Sequence, residues 1–285
     1  MSEGRQGIAP EGPGLPGDYH VHTTFSDGSG SVAECVEQAL SAGLSEIGIA
    51  DHFSPVQPTL WDSASIEFER LDEYVREVRE VASRHDDVKV LLGLEADYVP
   101  EHEAQLHAFL ADWSFDYVIG GVHVVGGFEF DDPARRDDPI WKDHDGLFME
   151  YYETVRMAAD CDLFDVIAHL DYIGLWGHEP SPAARGAIDV ALDAIASSGC
   201  ALELNTDRVS DPAGVMYPSD ELLAAAHERR IPLVIDSDAH AAADVGRFWD
   251  EAIERARRAG YGQTLRLSDR HLVPLPAPPP DRGRP

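Results

Sequence analysis

Histidine and carboxylate side chains recur in this chain where apolar runs end. Asp18-Tyr19-His20-Val21-His22 opens the first run, with Asp27 soon after it. Leu233-Val234-Ile235-Asp236-Ser237-Asp238-Ala239-His240 is its counterpart near the other end. Neutral imidazole and carboxylate together suit divalent ions such as zinc, manganese and iron. Side chains alternate along a strand, so His20 and His22 share one face, about 7 Å apart, and can converge on one ion. His52, Glu95, His123 and His169 each follow a further apolar run, and Asp27, Asp238 and His240 bring the candidate ligands to nine. Three such ligands suffice for a catalytic ion that keeps an open position. A single histidine after a strand is more often a hydrogen-bonded rim residue. The recurrence at one strand end after another, together with a His-x-His, is what points to a metal centre.

A framework must carry these residues. Strand-like segments fall at 18–22, 46–50, 89–94, 117–122, 164–168, 201–204 and 232–235. Amphipathic helical patterns lie near 31–42, 68–84, 101–112, 146–159, 183–198, 219–228 and 243–259, with an irregular acidic loop over 126–145. Successive βα units imply parallel strands, because parallel neighbours need a crossover. The segments are apolar over most of their length, as strands buried on both faces are. Seven units suit a barrel, whose catalytic residues gather at the C-terminal ends of the strands. An open doubly wound sheet is the alternative. No Gly-x-Gly-x-x-Gly follows the first strand, so the dinucleotide-binding form of that sheet lacks support.

Composition narrows the partners. The 285 residues hold 53 acidic and 22 basic side chains, a net charge of −31. Such a surface disfavours duplex nucleic acid, which needs a basic footprint. An anionic substrate would need bound cations to reverse the local field. Cys35, Cys161 and Cys200 lie far apart and form neither a CxxC pair nor a disulfide framework. No apolar run is long enough to span a membrane. Residues 1–17 lack the apolar core of a signal peptide and read as a flexible leader. Residues 18–273 read as the barrel, and 274–285 as a proline-rich disordered tail. A cytoplasmic location is expected.

The order of motifs is also familiar. His20-Val21-His22 with Ser26-Asp27-Gly28, then Asp51-His52, Gly93-Leu94-Glu95, Gly120-Gly121-Val122-His123, Ala168-His169-Leu170-Asp171 and Ser237-Asp238-Ala239-His240 resembles the polymerase-and-histidinol-phosphatase (PHP) superfamily. The likeness runs over about 18–261, and Leu202-Glu203-Leu204-Asn205-Thr206 and Tyr217-Pro218-Ser219 resemble its histidinol-phosphatase branch. The resemblance implies a distorted (β/α)7 barrel, a trinuclear metal centre and phosphoester hydrolysis. It implies one ion held by His20, His22, Glu95 and Asp238, a second by Glu95, His123 and His169, and a third by Asp27, His52 and His240. The chain departs from the family at its phosphate clamp. Ser210 stands where the branch has an arginine, with Arg208 two residues earlier, and Tyr172-Ile173-Gly174-Leu175-Trp176 lacks the expected basic residues. Arg208, Arg247 and His178 are the remaining candidates for substrate and phosphate contacts. Asp238 and His240 are candidates for protonating the leaving group.

The activity expected is a phosphomonoesterase with two or three Zn, Mn or Fe ions, acting on histidinol phosphate or a similar small phosphorylated metabolite. A phosphodiesterase or nuclease acting on short oligonucleotides or small nucleotide phosphates is the alternative. A metal-binding module without activity comes third, disfavoured by the complete ligand set.

Overall fold

A computed structural model describes residues 15–55, 64–210 and 214–276. In chain order, the first half contains β1 (Leu15–Asp18), α1 (Val32–Ala42), β2 (Leu44–Ile49), β3 (His52–Phe53), α2 (Leu71–Ala82), β4 (Lys89–Leu92), β5 (Glu95–Asp97), α3 (Glu103–Ala111) and β6 (Ile119–Gly121). Next come the hairpin β7 (Val124–Val125) and β8 (Phe128–Glu129), then α4 (His144–Asp160), β9 (Val166–Ile167) and α5 (Arg185–Ser198). The chain continues with β10 (Ala201–Asn205), α6 (Asp220–Glu228), β11 (Leu233–Asp236), α7 (Trp249–Ala259) and the hairpin β12 (Gln263–Arg266) and β13 (His271–Pro274). Among the described residues, no helix is long and apolar enough to cross a membrane.

Among the described residues, the strand pairings outside the two hairpins are parallel, in the orders β1-β2-β4 and β11-β10-β9-β6-β5-β3. The two sheets are one wall. β2 and β3 are halves of a single strand, as are β4 and β5, and the bonds Gly93 N–Ile49 O (2.8 Å) and Glu95 N–Asp51 O (3.1 Å) carry the ladder across both breaks. The wall returns to its start through the parallel bridge Val21–Ala239. Asp18 adds to that closure by accepting from the backbone N–H of Ser237 (3.0 Å) and of Gly246 (2.9 Å). The seven-unit barrel expected from the sequence is thus present, with strands one and seven adjacent.

The interior is filled by side chains rather than left as a pore. Tyr19, Leu91, Tyr117, Ile119, Val166 and Val234 pack there, and Leu265 and Leu267 plug the end near the strand N-termini. The size of Tyr117 sets what its neighbours can be. A Cβ on Gly48 or Gly93 would come within 2.0 or 2.2 Å of its ring or hydroxyl, so only glycine fits at both places. A second apolar layer lies between the wall and the helices. α1 supplies Val32, Cys35, Val36 and Ala39 to it, starts on a capping box between Ser31 and Glu34, and stops at the left-handed Gly43.

Three boundaries differ from expectation. β1 starts at Leu15, inside the stretch read as a leader, because it can pair with β2. The last helix begins at Trp249 and not near Ala243. Left-handed Gly246 (φ 74°) and Phe248 (φ 55°) interrupt the pattern after a short 3-10 turn at Ala242–Asp244. Pro274 closes β13, and Leu275 beyond it is buried, so the tail starts later than expected. Residues 1–14 and 277–285 of the expected leader and tail lie outside the described residues.

Candidate metal centre

The nine side chains singled out from the sequence converge at the C-terminal mouth of the barrel. Glu95 is the hub. Its Oε2 lies 3.2 Å from His20 Nε2, 3.7 Å from His22 Nε2 and 2.5 Å from His52 Nδ1. Its Oε1 lies 3.3 Å from His169 Nε2 and 3.8 Å from His123 Nε2. Asp238 Oδ1 stands 3.0 Å from His22 Nε2 and 3.7 Å from His20 Nε2. Asp27 lies 3.4 Å from His240 and 3.9 Å from His52. Three donor groups result: His20–His22–Glu95, Glu95–His123–His169, and His22–Asp27–His52–His240. Glu95 and His22 each belong to two of them. The third group therefore takes in His22 beside the three residues that the family pattern assigns to it.

The donors fit cations. His20 Nε2 and Glu95 Oε2 are fully buried with no hydrogen-bond partner, though they face each other. A buried polar atom left alone costs free energy, and a divalent ion between the two would satisfy both. The imidazoles are also gripped from behind, as metal-ligating histidines are. His20 Nδ1 pairs with Glu203 Oε1 at 2.6 Å and His123 Nδ1 with Asp97 Oδ1 at 2.6 Å. Glu203 Oε2 accepts from the His169 backbone N–H (2.8 Å) and from Asn205 Nδ2 (3.0 Å), and that amide also donates to Asp238 Oδ2 (3.0 Å). Asp51 folds the first loop by accepting from Thr23 and Ser26, which places Asp27 beside the histidines. Two of the nine, His169 (φ 20°) and Asp238 (φ 50°), have left-handed backbones, a strained state typical of functional sites.

Mutual charge sets the protonation of the cluster. Burial opposes ionisation of Glu95, but His52 and His20 hold its carboxyl well below the usual range. Burial, helped by His52 and His240, pushes His22 down to about 3 and keeps it neutral, the form that ligates a metal. Burial also works against charge on His123 and His240, yet Asp97 and Asp27 respectively raise each to about 10.

The candidate substrate contacts fare differently. Arg247 donates to Asp207 and to the Ser237 carbonyl (3.3 Å) and lies 3.4 Å from Asp244, so its guanidinium is held by protein groups. His178 stacks on Trp141 at 4.6 Å and neighbours His144 at 5.8 Å, outside the three donor groups. Arg208 is half-buried in the 3-10 turn after β10, and its charge acts on Tyr172, whose ring lies 4.7 Å from that of His169. Ser210 is exposed. Sequence reasoning gave no role to Asp51, Asp97 or Glu203. A buried charge in the middle of an apolar strand was the available signal for Glu203.

A family model described as the PHP domain matches residues 18–207, and the chain belongs to that family. The relatives are more particular. A protein of Deinococcus radiodurans described as a "probable histidinol-phosphatase" is 38% identical over 264 residues, covering 90% of this chain and 98% of its own. The histidinol-phosphatase of Bacillus subtilis is 26% identical, with 84% and 98% covered. The histidinol phosphate phosphatase of Lactococcus lactis, solved with zinc, L-histidinol and phosphate, superposes with a TM-score of 0.76 at 24% identity, over 90% of this chain and 98% of that one. Its fold is the distorted (β/α)7 barrel described above.

Proposed function

We propose that this protein is a metal-dependent phosphomonoesterase that hydrolyses histidinol phosphate, a small phosphorylated metabolite of histidine biosynthesis. The observation that carries this reading is the convergence of six histidines and two carboxylates, Asp27 and Glu95, into donor groups joined through Glu95 and His22, with Asp238 beside them 3.0 Å from His22. Relatives matched over almost their full length carry the same activity in their names.

In this reading His20, His22, Glu95 and Asp238 hold one ion, Glu95, His123 and His169 a second, and Asp27, His52 and His240 a third, with His22 able to join the last. Bound zinc, manganese or iron supplies Lewis acidity toward the phosphoryl oxygens and makes water a nucleophile at neutral pH. The protein's own part follows from exposure. The His20, His22 and Glu95 side chains are fully covered, whereas 37% of His240 and 31% of Asp27 stay open. The substrate therefore enters over Asp27 and His240. Glu203, Asp97 and Asn205 hold their partners' orientation before it arrives. Of the two candidates for protonating the leaving oxygen, Asp238 is held well below its usual range by His20 and His22 against the effect of burial, so it serves as a ligand. His240, at the open edge and raised to about 10, is the group placed to pass a proton when the third site is unfilled. Arg208, half-buried in the turn after β10, is the candidate cation for the phosphate, while Arg247 is held by Asp207 and Asp244. A cytoplasmic location accords with such a substrate.

The test is phosphate release from a panel of monoesters, including histidinol phosphate, by protein loaded with Zn²⁺, Mn²⁺ or Fe²⁺. The expected result is hydrolysis that chelation abolishes and metal restores. Turnover of bis(p-nitrophenyl) phosphate without any monoester turnover would make the enzyme a diesterase instead.

A further inference from the structure

Asp131 lies outside the nine-residue set, two positions beyond the end of β8. It is 7% exposed, and neither carboxylate oxygen has a hydrogen-bond partner among the described residues. The main chain beside it is fixed. The Phe130 backbone N–H donates to the His123 carbonyl (3.4 Å), and Trp176 Nε1 donates to the Phe130 carbonyl (2.7 Å). Burial raises the Asp131 carboxyl to about 6 against the pull of His123 and His52 in the donor groups, and its charge acts on Tyr172 beside them. Tyr172 is the centre of an aromatic wall. Its ring lies 5.9 Å from His123, 5.9 Å from Phe130 and 5.4 Å from Tyr217.

A carboxylate sealed from water needs a donor or a cation. A phosphate would be repelled there, so this side of the mouth faces another part of the substrate. An aromatic wall beside an unpartnered carboxylate is the chemistry that holds an organic ammonium group, through an ion pair and the ring faces. We propose that Asp131 binds the cationic amine of the leaving alcohol and makes the enzyme selective for phosphate monoesters of amino alcohols. This assignment rests on the phosphatase reading and adds the residue that recognises the alcohol.

The test compares histidinol phosphate with its analogue lacking only the amine, using full-length, metal-loaded wild type and Asp131→Asn. The substitution keeps the shape and removes an unpaired buried charge, so folding is preserved. Wild type should favour the amine-bearing ester by about 10- to 100-fold in kcat/KM. In D131N that preference should collapse through KM, with kcat within about 3-fold and the analogue almost unaffected. Metal content should match wild type. A variant that loses metal and slows both esters alike makes Asp131 a support for His123 and overturns the proposal. A wild type that hydrolyses both esters equally also overturns it, leaving the phosphatase reading intact. A wild type inactive on every monoester overturns the phosphatase reading, and this one with it.

Discussion

Glu95 and Glu46 are both buried in the barrel, at opposite poles, and the chain treats them in opposite ways. Glu46, 4% exposed near the start of β2, has its oxygens satisfied by protein. Tyr19 Oη donates to Oε2 at 2.8 Å and Ser268 Oγ donates to Oε1, while Arg266 Nε stands 3.8 Å away. That network seals the plugged end. Glu95, 1% exposed at the mouth, is surrounded by five histidines and still leaves Oε2 without a hydrogen bond. A satisfied buried carboxylate serves stability, and an unsatisfied one is held for something that binds. Exchanging their roles by mutation tests that distinction.

The largest effect is expected at the hub. Glu95→Gln should lower phosphatase activity well beyond the roughly 100-fold typical of losing an outer partner, with metal lost in parallel. Activity assays and elemental analysis on one preparation check this, and near-normal turnover with full metal content would break the contrast. Glu203→Gln removes the grip on His20 and should cost about 10- to 100-fold in activity or metal affinity.

Metal affinity should also depend on pH. His123 and His240 are each held protonated up to about 10. Ligation needs neutral imidazole, so below that value an ion must expel their protons, and affinity rises with pH by about tenfold per unit for each proton released. His22, down at about 3, contributes no proton in this range. Calorimetry in buffers of different ionisation enthalpy counts the protons; none released between pH 6 and 8 would contradict the assignment. The smallest effect on catalysis belongs to the other pole. Glu46→Gln should lower unfolding free energy by about 1–3 kcal/mol, leaving the activity of folded enzyme unchanged.

The convergent residues could be read from the sequence because they sit at or just beyond the ends of apolar runs, Asp27 in the loop after the first, and a parallel barrel gathers those ends at one mouth. The resemblance then grouped them. What escaped was long-range or local in other ways. Asp97 shares a strand face with Glu95, but nothing in the sequence said that His123 would meet it. Asp51 read as part of an Asp-His pair, and its work on the Thr23–Ser26 loop depends on two segments meeting. The breaks that divide β2 from β3 and β4 from β5 fall where the apolar runs end, at Ala50-Asp51 and Gly93-Leu94, so the short continuations beyond them read as strand ends. Gly246 and Phe248 shortened the last helix through backbone conformation, which periodicity does not report.

The closure between Val21 and Ala239 carries one more consequence. His22 and Asp238 meet across it although 216 residues separate them in sequence. An ion gripping both ends would act as a cross-link enclosing nearly the whole folded chain. In the chain-entropy picture, a link spanning that contour withholds about 5 kcal/mol of freedom from the unfolded coil as long as it stays in place. Loading would then fasten the first and last turns of the molecule together like a clasp, and thermal unfolding of the loaded protein should be slow until the clasp lets go.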